Sequence, residues 1–78
     1  MESKHEYFDN FGNMAVIYQK AIVPYKGSEV KRGWILDCYA MYDNGFHYHR
    51  SVHDSKAAAE EKLQEFSCGT FKEINGGN

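Results

Sequence analysis

The 78 residues, 42% hydrophobic and 15% aromatic, make one small domain that buries only about 60 to 65% of its unfolded surface. A single proline, the absence of any low-complexity block and the lack of any run near ~18 apolar residues argue against a disordered or membrane-spanning chain. A net charge of −2 counts against the strongly basic surface with which nucleic-acid modules commonly hold phosphate.

The polar start, Met1-Glu2-Ser3-Lys4-His5-Glu6, lacks the apolar core of a signal peptide, so a cytoplasmic protein is expected. Residues 1–12 read as an arm carrying His5, Tyr7 and Phe8 among charges, broken by Phe11-Gly12-Asn13. Residues 14–23, rich in Val, Ile and Tyr, predict the first strand. Met14, Val16, Tyr18 and Ile22 share a parity that Lys20 interrupts, which suits a bulged edge strand. Pro24 ends regular pairing, and residues 25–32 supply a loop with Gly27 and Ser28. Lys26, Lys31 and Arg32, interrupted by Glu29, form a small basic cluster there and, with Arg50, are the candidate nucleic-acid contacts. A solvated hairpin loop is the simpler reading of such a short run.

The central pattern is a hairpin whose turn decides which side chains share a face. A two-residue loop at Asn44-Gly45 pairs Tyr42 with His47 and mixes polarity on both faces. A three-residue loop, Asp43-Asn44-Gly45, with Gly45 in the left-handed region, pairs Tyr42 with Phe46 and Leu36 with Val52. Trp34, Leu36, Cys38, Ala40 and Tyr42 then join Phe46, Tyr48 and Val52, with Arg50 out of character. Ile35, Asp37, Tyr39 and Met41 share the other face with His47, His49, Ser51 and His53. A one-residue slip flips every side chain of a strand, so the register that segregates polarity is expected.

A helix follows, capped by Asp54 or Ser55, with Ala57, Ala58 and Ala59 as strong helix formers. Ala59, Leu63 and Phe66 recur at helical spacing as a narrow apolar stripe, and Gly69 is the expected terminator. Residues 70–74 read as a short further strand anchored by Phe71 and Ile74, and residues 75–78 as a mobile tail. Cys38 and Cys68 form no Cys-x-x-Cys pair and are expected as buried or half-buried free thiols.

These elements predict a single α+β domain, a three- to four-stranded antiparallel sheet with one helix on one face, in the order βββα or βββαβ. The helix covers Trp34, Leu36, Tyr48 and Val52, and the opposite face is left to solvent or a partner. Tyr39, Met41 and Ile35 on that face, with Tyr18 beside them, are the candidate anchors, since Tyr is enriched at interface cores and Met adapts to irregular surfaces. Asp37, His47, His49 and His53 complete the candidate partner-binding set. A metal held by these histidines and Asp37 is the alternative, but the spacing matches no recognised zinc pattern, so neither metal nor cofactor is expected. Familiar catalytic spacings are missing too, and Cys38 is expected on the face opposite the histidines, so no enzyme is expected.

The run Gly33-Trp34, an alternating strand, Asp43-Asn44-Gly45, a second strand, then Ser55-Lys56-Ala57-Ala58-Ala59 and Leu63 resembles the arm-binding domains of phage tyrosine recombinases. More distantly it resembles the last part of double-stranded-RNA-binding domains. The recombinase likeness implies DNA binding by an open sheet face, yet Lys and Arg are replaced there by His47, His49, Asp37 and Tyr39. In size, acidity and tyrosine content the chain is also similar to phage-encoded inhibitors of host defence, including anti-CRISPR proteins. That resemblance implies a non-enzymatic protein occupying a surface of a host protein or nucleoprotein complex. An uncovered sheet face equally suits a homodimer.

Overall fold

Strand formation begins earlier than the pattern predicts: Lys4–Phe8, expected as part of an arm, is β1. The computed structural model describes residues 4–22, 31–42, 45–66 and 71–76. β2 (Met14–Ile22), β3 (Lys31–Tyr42) and β4 (Gly45–His53) continue a meander, α1 (Lys56–Leu63) runs on into a 3-10 turn (Gln64–Phe66), and β5 (Lys72–Gly76) closes the chain. The sheet is antiparallel and has five strands in the order β4-β3-β2-β1-β5, in place of the expected three or four. The α+β class holds. Pro24, the loop with Lys26, the Asp43-Asn44 corner, Cys68, Gly69 and residues 77–78 lie outside the described residues, whereas Asn75 and Gly76, expected in a tail, belong to β5.

β1 and β2 are joined by a turn that Asp9 organises. Its Oδ1 accepts from the Phe11 and Asn13 backbone N–H groups at 2.9 and 2.8 Å, and its Oδ2 from the Asn13 amide at 2.9 Å. Gly12 takes φ +84°, a left-handed conformation that most side chains resist. Asn13 Oδ1 in turn accepts from the Met41 backbone N–H at 2.9 Å, just past the Met14–Tyr39 end of the β2–β3 ladder. β2 is therefore no edge: it pairs with β1 on one side and β3 on the other. Its buried residues are Ala15 and Ile17, of the parity opposite to the one the sequence suggested.

The hairpin register also differs. Met41 pairs with Phe46 and Tyr42 with Gly45, one residue away from the expected pairing, so every side chain of β4 changes face relative to β3. Gly45 does take a positive φ, +122°. His47, His49, Ser51 and His53 lie on the side of Leu36 and Cys38, whereas Phe46, Tyr48, Arg50 and Val52 lie on the side of Ile35, Asp37 and Tyr39.

α1 starts where Ser55 caps it, its Oγ accepting from the Ala58 N–H at 3.1 Å. Ser55→Ala is expected to lower the unfolding free energy by about 1 kcal/mol. The reading is a lower urea midpoint at unchanged slope. Ala59 and Leu63, fully buried, pack with Tyr7, Ala15, Ile17, Leu36, Cys38 and Phe71, and Trp34 and Phe66 border this core. Of the residues expected beneath the helix, Leu36 belongs to this core and Trp34 borders it, but Tyr48 and Val52 are half-exposed on the far face. Phe71 anchors the last segment, its backbone N–H and C=O both held by the Gln64 side-chain amide at 3.2 and 3.1 Å. Ile74, the other expected anchor, is exposed.

α1 is also tied to the strands near it through charge. Tyr7 donates to Glu60 at 2.6 Å, Lys56 bridges Glu60 and Glu73 at 3.1 and 3.0 Å, and His5 donates to Glu73 at 2.6 Å. Among the described residues no helix is long and apolar enough to cross a membrane.

Candidate functional site

The face that α1 leaves open is ordered in rows set by the strand registers. Phe8, Met14, Tyr39 and Tyr48 form one row; Glu6, Val16, Asp37 and Arg50 the next; Lys4, Tyr18, Ile35 and Val52 a third. Met41 and Phe46 extend the face beyond the first row. Large apolar groups stand in solvent here: Met41 is 64% exposed, Phe46 61%, Val52 55% and Tyr48 50%. Phe11, on the β1–β2 turn, is exposed too. The Tyr39 ring lies 5.1 Å from that of Tyr48 and 6.4 Å from that of Phe46, within the range of favourable tilted ring pairs.

Asp37 sits in the middle of this face yet is only 5% exposed. Its Oδ1 accepts from Arg50 Nε at 2.6 Å and from the Tyr48 hydroxyl at 2.8 Å. Its Oδ2 accepts from the Tyr18 hydroxyl at 3.0 Å and from the Arg50 terminal nitrogen Nη2 at 3.1 Å. The guanidinium therefore grips the carboxylate with two donors while two tyrosines arrive from the flanking rows. Desolvation opposes the charge, but the hydrogen bonds from Arg50, Tyr48 and Tyr18 outweigh it and hold the Asp37 carboxyl below the usual range. Desolvation, followed by the bond to Asp37, raises Tyr18; for Tyr48 the bond to Asp37 comes first. Both hydroxyls stay protonated as donors. The network fixes the direction of two aromatic rings on an otherwise open surface.

Of the sequence-derived partner-binding set, Tyr18, Ile35, Asp37, Tyr39 and Met41 share this face. Ile35 is buried between Tyr18 and Val52, so it supports the surface and presents little of it. His47, His49 and His53 do not belong to it. They lie on the α1 side, because the hairpin register is shifted. The same shift takes Asp37 away from the histidines, which removes the fourth ligand of the metal arrangement. Among the described residues no group of three His, Cys, Asp or Glu side chains is placed to hold a metal ion. His53 Nε2 is hydrogen-bonded to Ser51 Oγ at 2.6 Å, and the His49 ring packs 4.4 Å from that of Phe66.

Cys38, expected across the sheet from the histidines, is instead paired with His49 on the same face. Burial, with a contribution from the Asp9 charge, pushes the Cys38 thiol up to about 11, so it is a protonated thiol at neutral pH and a poor nucleophile. Desolvation, with the electrostatic influence of Lys62 and His53 adding to it, lowers His49. A cleft of about 260 Å³ between Cys38, Ala40, His47, Tyr48, His49 and Phe66 opens beside them.

Among the candidate nucleic-acid contacts, Arg50 is bound to Asp37, Lys31 pairs with Ile22 at the end of the β2–β3 ladder, Arg32 is exposed on β3, and Lys26 lies outside the described residues. They do not form one described cluster. The sequence reasoning missed Phe46, Tyr48 and Val52 as surface groups because it had assigned them to the core. It also missed Phe8 and Phe11, whose signal was two aromatics in a polar segment. Comparison with protein-family models, with curated protein sequences and with solved structures finds no match to this chain.

Proposed function

We propose that this chain is a non-enzymatic binding protein whose open sheet face occupies a surface of a larger protein or nucleoprotein complex. This is the mode of action of phage-encoded inhibitors of host defence, and the expected site of action is the host cytoplasm. The reading is carried by one observation: exposed Met41, Phe46 and Tyr48 cluster around Tyr39 on a sheet face, with Tyr48 already held by Asp37. Aromatic anchors in well-packed surroundings supply most of the binding energy of typical interfaces. Side chains ordered before contact lose less freedom on binding. Phosphate recognition has less support, because the Arg50 charge on this face is already neutralised by Asp37.

The test uses the partner identified by affinity capture from host lysate, then purified and titrated against the chain. Tyr39→Ala with Met41→Ala should weaken that binding by at least ~10-fold while the fold is retained. Raising the salt from low to moderate should change it little, whereas phosphate-dominated binding would fall steeply. Unchanged affinity in the double variant rejects the open face as the docking surface.

A further inference from the structure

The two edges of the sheet are unlike. β5 is five residues long, carries Lys72 and Glu73, and is bulged where its register against β1 shifts between Glu6 and Tyr7. Those are the devices by which natural sheets discourage further pairing. β4 has none of them. Its nine residues pair with β3 without interruption from Trp34–His53 to Tyr42–Gly45, and the segment contains no proline, no lysine and no carboxylate. Its one cation outside the histidines, Arg50, is matched by Asp37 within the same chain. Among the described residues β4 has a neighbour on one side only. In an antiparallel edge strand every second residue turns its backbone N–H and C=O outward, so β4 offers a regular row of donors and acceptors.

The side chains of that edge are self-complementary. When two copies meet antiparallel about a two-fold axis perpendicular to the sheet, paired residues must share a face, so their numbers sum to an even value. An axis at Arg50 would set two like charges against each other. An axis at Tyr48 would place Phe46 opposite Arg50. An axis at His49 places Phe46 opposite Val52 and Tyr48 opposite Arg50 on the open face, and His47 opposite Ser51 on the α1 face. Aromatic with β-branched and aromatic with guanidinium are both favourable cross-strand pairs.

We propose that β4 pairs with β4 of a second copy about His49, joining two five-stranded sheets into one and setting the two aromatic open faces side by side. The occupant of the edge is thus another copy of this chain, not a strand of a foreign protein. Partner docking by the open face is a separate matter, and either can fail without the other. A single strand pairing is a small interface, so the assembly forms and dissociates with concentration in the micromolar range.

Sedimentation velocity over a concentration series reads the outcome. The wild-type chain should move from monomer to dimer mass as concentration rises. Val52→Lys alone and Phe46→Glu alone should each weaken dimerisation at least tenfold, and combining the two should restore it. Within one chain these positions are six residues, about 20 Å, apart, so the rescue must come from pairing between copies. Hydrogen exchange should show alternate amides of β4 slowing as concentration rises, which packing of one open face on another would not produce. Circular dichroism at each variant confirms the fold. A chain that stays monomeric at millimolar concentration, a dimer indifferent to the single substitutions, or a double variant that is not rescued overturns the proposal.

Discussion

Leu63→Ala is expected to lower the free energy of unfolding by about 2 to 5 kcal/mol. Leu63 is fully buried between α1 and the strands, among Ile17, Leu36 and Cys38, and its loss leaves a void that neighbours of this size cannot fill. A domain near this length has a total stability of about 5 to 15 kcal/mol, and each kcal/mol moves its melting midpoint by about 4 to 8 °C. Thermal melting followed by circular dichroism checks it. A midpoint within a few degrees of wild type would mean that α1 does not seal this core.

Asp37→Ala is expected to cost about 1 to 3 kcal/mol, with a larger effect on the open face than on the fold. The substitution leaves two tyrosine hydroxyls and a guanidinium without their common acceptor. Arg50 and Tyr48 are half-exposed and rehydrate, so the residual cost falls on Tyr18, and Tyr48 loses its fixed direction. Partner affinity should therefore fall further than stability. The pH dependence has a definite sign. The Asp37 carboxyl is held below its ordinary value of 3.8, so its contribution is complete above that value and disappears as pH falls through the folded one. Denaturant titrations of wild type and Asp37→Asn should differ at pH 7 and converge in strong acid. A difference that persists undiminished in acid would show that the carboxylate charge is not what holds the network.

The class of fold and the position of α1 were legible because their signals are local: an alternating aromatic run, a serine cap and a stripe at helical spacing. The register of the hairpin was not. Segregation of polarity is a sound guide where one face of a sheet is core and the other is wet, and here the open face is itself apolar. Phe46, Tyr48 and Val52 alternate as core residues do, but they belong with Tyr39 and Ile35. The histidines line the covered side toward the β4 edge, His49 packing at a tilt against Phe66 and His53 bonded to Ser51. β1 escaped notice for a different reason. Its one buried side chain is Tyr7, preceded by Lys4, His5 and Glu6 and followed by an exposed Phe8, so no alternating pattern distinguishes it from an arm. Pairing on both flanks with β2 and β5 makes it a strand. Of the candidate site, Tyr18, Tyr39 and Met41 were found from residue type and strand alternation, and the same alternation put Asp37 on the correct face, whereas the histidines set beside it depended on a register that did not survive.

The place of β1 between β2 and β5 also governs when this sheet can be completed during synthesis. His5 lies opposite Gly76, so β1 waits for a partner strand that is translated some seventy residues later. A nascent chain can assemble β1 to β4 and α1, but until Phe71 and β5 leave the ribosome the core lacks one wall and β1 is a bare edge. Closure across nearly the whole sequence belongs to the slow, non-local class of folding events. For that interval the growing polypeptide has two sticky margins, and the docking of β5 on β1 removes one of them.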